Sequence, residues 1–175
     1  MRKANSRDKI KRAVIKAAIK SGIDGIKIKD ISKISKKSEA LIFKYYEDKE
    51  ELIRKTFEDI AIEFYNYIKS KVENSSDKIN AFIDSFIDFA LSKKEEFLFI
   101  LKMFQFHYDK FIRKVPKPID ILREIAPSGK YNKQYTIAFI VSILTRMLEF
   151  YINGQINDNP ENFKKIVKEV ISAVL

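Results

Sequence analysis

Apolar residues recur along this chain at helical spacing, with no stretch of strand alternation. Ile10, Ala13, Val14, Ala17 and Ala18 fall at i, i+3, i+4, i+7 and i+8. They predict an amphipathic helix that starts from Ser6 as N-cap, with Asp8 in the first turn, and stops at Gly22. A short helix over Lys29–Ile34 follows, with Ile31 and Ile34 inward. After a polar break at Ser35-Lys36-Lys37, Ser38 is placed to cap a third helix, Glu39–Tyr46, whose Ile42, Tyr45 and Tyr46 face the first two. Asp48 then caps a long fourth helix marked by Leu52, Ile53, Phe57, Ile60, Ala61, Phe64 and Ile68, ending near Glu73–Ser76.

The body continues in the same period. A fifth helix carries Ile79, Phe82, Ile83, Phe86, Ile87, Ala90 and Leu91, capped by Ser76 or Asp77. A sixth starts at Phe97–Tyr108 and breaks at Val115-Pro116-Lys117-Pro118. A short segment at Ile119–Ile125, a helix from about Tyr131 to Ile152, and a last one over Pro160–Val174 complete an all-α pattern. The stretch Ile137–Ile152 is apolar nearly all round, so it must be covered on more than one side. Interrupted by Ser142, Thr145, Arg146 and Glu149, it reads as too short to cross a bilayer.

Charge divides the chain unevenly. Residues 1–50 hold 15 Lys/Arg against 7 Asp/Glu, a net of +8, out of a total of +10 for all 175 residues. A basic N-terminal quarter ahead of a nearly neutral, apolar body points to nucleic-acid binding. With no Cys and the single His107, a disulfide framework, a thiolate metal site and the usual catalytic triads lack their residues. No carboxylate constellation and no Gly-rich phosphate loop suggests an enzyme, and neither metal nor cofactor is expected. The charged N-terminus has no signal-peptide h-region, so a cytoplasmic protein without membrane attachment is expected.

Two short helices joined by a tight turn are the geometry that lays the second helix into a major groove. The residues that carry this pattern are Ala17-Ala18, Gly22, Asp30-Ile31-Ser32, Ser38, Leu41-Ile42-Phe43-Lys44-Tyr45-Tyr46 and Lys49-Glu50-Glu51-Leu52. Over about 45 residues they resemble the DNA-binding domain of the TetR family of transcriptional regulators, with the aromatic pair and Lys-Glu-x-Leu as the most specific part. The resemblance implies a three-helix DNA-binding domain at 1–48 and a helical effector-binding and dimerisation bundle at 49–175. It departs from the family pattern at three places. Ile26-Lys27 stands for Thr-Thr before the second helix, Lys36-Lys37 for the Gly-Val of the turn, and Leu41 and Phe43 for the Thr and Tyr of the recognition helix. Lysines thus replace hydroxyls, and charge is left to supply the phosphate contacts.

By the resemblance, the DNA-binding residues are Lys27, Lys36, Lys37, Ser38, Glu39, Ala40, Leu41, Phe43, Lys44, Tyr45 and Lys49. Glu39 suits a cytosine amino group, Ala40 and Leu41 thymine methyls, Lys44 guanine, and Lys49 a phosphate. Phe43 is as well explained by packing as by contact, and packing is the simpler account of Tyr46. The family's effector cavity falls on the fifth and sixth helices, where Phe82, Phe86, Phe89, Phe104, His107, Tyr108 and, from a later helix, Arg146 are its candidate lining. Arg146 and Glu149, three residues apart, equally suit pairing with each other. Dimerisation through the last two helices implicates Phe139, Ile143, Met147, Phe150, Phe163, Val167 and Val170.

The function so implied is a ligand-responsive transcriptional regulator, more often a repressor. It would bind a pseudo-palindromic DNA operator as a homodimer and be released by a hydrophobic small molecule. The alternative is a helical lipid- or drug-binding module whose basic segment lies on an anionic membrane surface.

Overall fold

A computed structural model describes residues 2–106, 115–127, 131–173 and 175. Among the described residues every regular element is an α-helix. In chain order these are α1 (Arg2–Ser21), α2 (Ile28–Ser35), α3 (Glu39–Phe43), α4 (Lys49–Glu73), α5 (Lys78–Ser92), α6 (Lys94–Phe106), α7 (Pro118–Ile125), α8 (Lys133–Ile152) and α9 (Pro160–Ser172). The chain folds as two compact units: Met1–Ala61 with Glu95–Val115, and Ile62–Lys94 with Pro116–Leu175. The 25-residue α4 runs from the first unit into the second.

In the first unit α1 buries Ile10, Ala13, Val14, Ile15, Ala17 and Ala18, which is the stripe its period predicts. The helix begins at Arg2, so Ser6 is not its N-cap but a buried residue inside it. Gly22 ends α1 as expected. It sits in the left-handed region (φ 74°) and returns its N–H to the Ala18 carbonyl at 2.9 Å. Ile31 is buried on α2, but Ile34 is 42% exposed and Ser35 takes the inward position instead. The helix ends at Ser35, so the inward position of its last turn is held by a small side chain rather than by the isoleucine. The unit's core is completed by Ile42, by Leu52, Phe57 and Ile60 of α4, and by Phe97, Phe99 and Met103 of α6. Phe57 and Phe104 meet edge to face, with ring centroids 6.0 Å apart.

In the second unit α8 packs on α5, α7 and α9, and α9 packs on α5. Asp77 caps α5 by accepting from the Asn80 N–H at 3.1 Å; Asn159 caps α9 in the same way through Asn162. Its core holds Phe64, Phe82, Ile83, Phe86, Phe89, Leu122, Ile140, Leu144, Leu148, Phe163 and Val167. Ion pairs from Lys164 and Lys168 of α9 to Asp84 and Asp88 of α5 flank this core.

The sixth helix starts three residues earlier than the apolar pattern suggests, because the acidic pair Glu95-Glu96 occupies its first turn. α8 follows the helix expected from about Tyr131 to Ile152, starting at Lys133, but as a whole helix it is longer than its apolar stretch from Ile137. At 20 residues it is long and apolar enough to cross a membrane. Within this unit it instead buries one stripe, Thr136, Ile137, Ile140, Leu144 and Leu148, against its neighbours.

The α1–α2 connection imposes one strict requirement. A Cβ placed on Gly25 would stand 2.2 Å from the Ser21 carbonyl oxygen, a backbone atom that cannot swing away. Gly25→Ala is expected to destabilise the protein by about 1–3 kcal/mol in denaturant unfolding, the usual cost of overpacking. An unchanged midpoint would show that the connection is free to open.

Candidate nucleic-acid interface

The interface is built around a turn of three residues, Lys36-Lys37-Ser38, between α2 and α3. Lys36 has φ 55° and ψ 40°, the left-handed conformation, at the position where the TetR-type pattern places glycine. The strain is held by the backbone around it. Lys37 donates its N–H to the Ser32 carbonyl at 3.2 Å, and Ser32 Oγ donates to the Lys37 carbonyl at 2.7 Å. Ser38 then caps α3, its Oγ accepting from the Leu41 N–H at 3.2 Å. On the other side of α2, Lys27 precedes the helix with no side-chain cap, as expected of a lysine in place of a hydroxyl.

α3 is shorter than the period of Ile42, Tyr45 and Tyr46 suggests. It stops at Phe43, after which Tyr45 and Tyr46 both return their N–H groups to the Ile42 carbonyl, at 2.9 and 3.1 Å. Ile42 is fully buried, whereas Tyr45 and Tyr46 are half-buried. Anchoring Ile42 turns the opposite side outward: Glu39, Ala40, Phe43 and Lys44 are all exposed, and Leu41 is half-buried. Phe43 is 46% exposed, so packing does not account for it.

Three further groups frame this face. Arg7 of α1 places its guanidinium over the Tyr45 ring, 5.1 Å from the centroid. A partner 38 positions away in sequence leaves no local pattern, which is why sequence reading misses it. Burial pushes the Tyr46 phenol above its ordinary 10.0; the nearby Arg7 charge opposes this, while Asp59, Glu51 and Asp8 add to it. Lys49, expected at a phosphate, donates to the Ile26 carbonyl at 3.3 Å and thereby ties the start of α4 to the α1–α2 connection. Asp48 caps α4 through the Glu51 N–H at 2.7 Å. Lys36, Ser38 and Lys44 are exposed and Lys37 is half-buried, so cations stand at the surface beside the turn and α3; Lys27, at the start of α2, is exposed as well.

The proposed effector lining is divided between the two units. Phe82, Phe86 and Phe89 are buried in the second unit and packed ring on ring. Phe64 stacks on Phe89 at 4.4 Å and meets Phe86 edge-on at 4.9 Å. Phe104 belongs to the first unit. Arg146 is exposed, paired with Glu149 at 2.7 Å and lying over the Phe150 ring at 4.6 Å, so it takes the pairing alternative rather than a place among the phenylalanines. His107 and Tyr108 lie outside the described residues.

The proposed dimer residues divide. Phe139 (41%) and Val170 (41%) are exposed and Ile143, Met147 and Phe150 half-exposed, with Ile166 (39%) beside them in the pattern. Phe163 and Val167, by contrast, are buried inside the unit: they are on the inward stripe of α9, one turn apart from each other, while Ile166 and Val170 take the outward one. The sequence marks α9 as amphipathic but does not say which apolar residues serve the fold and which a partner.

Comparison of the sequence with protein-family models and with curated proteins gives no match. Comparison of the fold with solved structures gives many. A TetR family transcription regulator from Marinobacter aquaeolei VT8 matches with a TM-score of 0.75 at 15% identity, over 98% of this chain and 96% of that one. The fatty acid degradation regulator FadR from Bacillus halodurans matches at 0.73 and 15% identity, over 97% and 94%. The fold is the TetR type. A TetR-like transcriptional regulator from Rhodococcus sp. RHA1 matches similarly, at 0.73 and 12% identity over 95% and 93%. Identities this low establish the TetR-type architecture, and the α2–turn–α3 geometry is this chain's own version of its N-terminal part.

Lys36 gives that version a measurable signature. A left-handed non-glycine residue costs about 1–2 kcal/mol, and glycine returns about 0.4–1 kcal/mol of that through the freer unfolded chain. Lys36→Gly is therefore expected to stabilise the protein by about 0.5–1 kcal/mol in urea unfolding. Destabilisation would mean that the lysine side chain itself holds the turn.

Proposed function

We propose that this chain is a DNA-binding transcriptional regulator that acts as a homodimer and responds to a small molecule, most simply as a repressor working in the cytoplasm. The observation that carries the reading is the outward face of α3. It is held exposed by a buried Ile42 and a Ser38 cap, and it is ringed by lysines in the most basic part of the chain. In this reading residues 1–48 are the DNA-binding domain and 49–175 the effector and dimer domain. Lys27, Lys36, Lys37 and Lys44 neutralise phosphates, Ser38 and Tyr45 support the backbone contacts, and Glu39, Ala40, Leu41 and Phe43 approach base edges. Lys49 can join the phosphate contacts by exchanging its Ile26 carbonyl for a phosphate oxygen.

A second copy covers the apolar face of Phe139, Ile143, Met147, Phe150, Ile166 and Val170, which α8 and α9 leave half-covered. Two-fold symmetry then presents two α3 helices to a pseudo-palindromic operator. A hydrophobic effector in the second unit acts by favouring the conformation with lower DNA affinity; α4, which passes from one unit to the other, is the direct route. The coupling required is of ordinary size, about 1–3 kcal/mol. That one structurally similar protein is a regulator of fatty acid degradation supports an apolar effector class.

Selection of binding sites from random duplex DNA, followed by a salt series on the winner, tests this reading. The expected result is a pseudo-palindrome bound by two chains. Five lysines per chain set an upper slope near −9 for log affinity against log salt, from roughly −0.9 per phosphate neutralised. Recovery of no consensus, or binding by a single chain, would contradict it.

A further inference from the structure

The outward face of α3 is unusual in what it lacks. Glu39, Ala40, Phe43 and the capping Lys44 are its exposed residues. Of the side chains that grip guanine or adenine through two hydrogen bonds (arginine, lysine, asparagine and glutamine), Lys44 alone stands among them, at the C-terminal edge. The middle of the face is instead apolar: Ala40 and Phe43 lie three residues apart on one side of the helix, between an acid and a lysine. The Phe43 ring is 46% exposed, and without a hydroxyl it can make no hydrogen bond to a phosphate or a base. Its exposure is not a packing accident of a mobile surface element, because the Ser38 cap and buried Ile42 fix the helix that carries it. Among the groups that base pairs display in the major groove, the 5-methyl of thymine alone is apolar.

We infer that α3 reads thymine methyl groups, with the Phe43 ring and the Ala40 methyl as the specificity-determining contacts. The inference rests on the regulator reading above and adds the chemical class of base that the site selects. Surrounding lysines supply the charge complementarity that brings the duplex to this face, and the apolar centre rewards only sites that set thymines beneath it. Lys44 and Glu39, at the edges, are left to read flanking guanine and cytosine.

Deoxyuridine differs from thymidine by that methyl group alone, so it isolates the contact. The full-length protein is titrated against its selected duplex and against duplexes with each thymine of the half-site replaced in turn by deoxyuridine. At one or two positions per half-site the affinity is expected to fall about fourfold, the worth of one buried methyl-sized group. In Phe43→Ala, whose exposed ring leaves the fold intact, binding should weaken and the thymine-to-uracil ratio at those positions should fall to one. Phe43→Tyr should keep the ratio. A specific duplex bound equally well at every uracil position would overturn the inference and leave the regulator reading standing. Failure to select any specific duplex would overturn both.

Discussion

A helix of five residues has too few hydrogen bonds to hold its shape in water, so α3 exists only because its surroundings impose it. Ile42 supplies the burial, Ser38 the cap, and the left-handed Lys36 the change of direction that brings α3 off the end of α2. These three constraints together decide which side chains look outward. The proposed DNA-contacting face depends on that orientation. A slip of one residue would bury Phe43 or Leu41 and turn Ile42 to solvent, leaving a basic surface with no defined reading face.

The strain at Lys36 fits this view. A glycine would make the turn at lower cost, yet the chain places a cation there and holds the turn with three hydrogen bonds to Ser32, whose carbonyl accepts from the Lys36 and Lys37 N–H groups and whose Oγ donates to the Lys37 carbonyl. Placing charge beside the reading face at the expense of local stability is consistent with a surface made for a polyanion. The same trade is visible at Lys27, which leaves α2 without a side-chain cap.

Much of this was legible in the sequence, and the reasons differ by element. The α1 stripe, the Gly22 stop and the Asp48 and Asp77 caps follow from local rules, and the structure keeps them. The start of α1, the end of α3 and the exposure of Ile34 do not, because tertiary contacts decide where a marginal turn continues. At the candidate site the lysines and the α3 face were implied by the family resemblance, whereas the Arg7–Tyr45 contact and the Lys49–Ile26 bond join residues far apart in sequence. The second unit was the least legible. Phenylalanines at helical spacing look alike whether they line a cavity or pack on each other, and here Phe82, Phe86 and Phe89 pack. Likewise Phe163 and Val170 share one helix, and only the fold assigns the first to the core and the second to the surface.

The most direct test of the account is to fill the reading face without disturbing its supports. Ala40 is exposed and lies on the outward side of α3, so Ala40→Trp adds bulk where the duplex must approach and nowhere else. Affinities of the native and substituted proteins are compared on the selected duplex and on random duplex at the same salt. The account predicts that the substitution abolishes the preference for the selected duplex while binding to random duplex persists through the lysines. Retention of the full preference would show that α3 does not face the bases, and would contradict it.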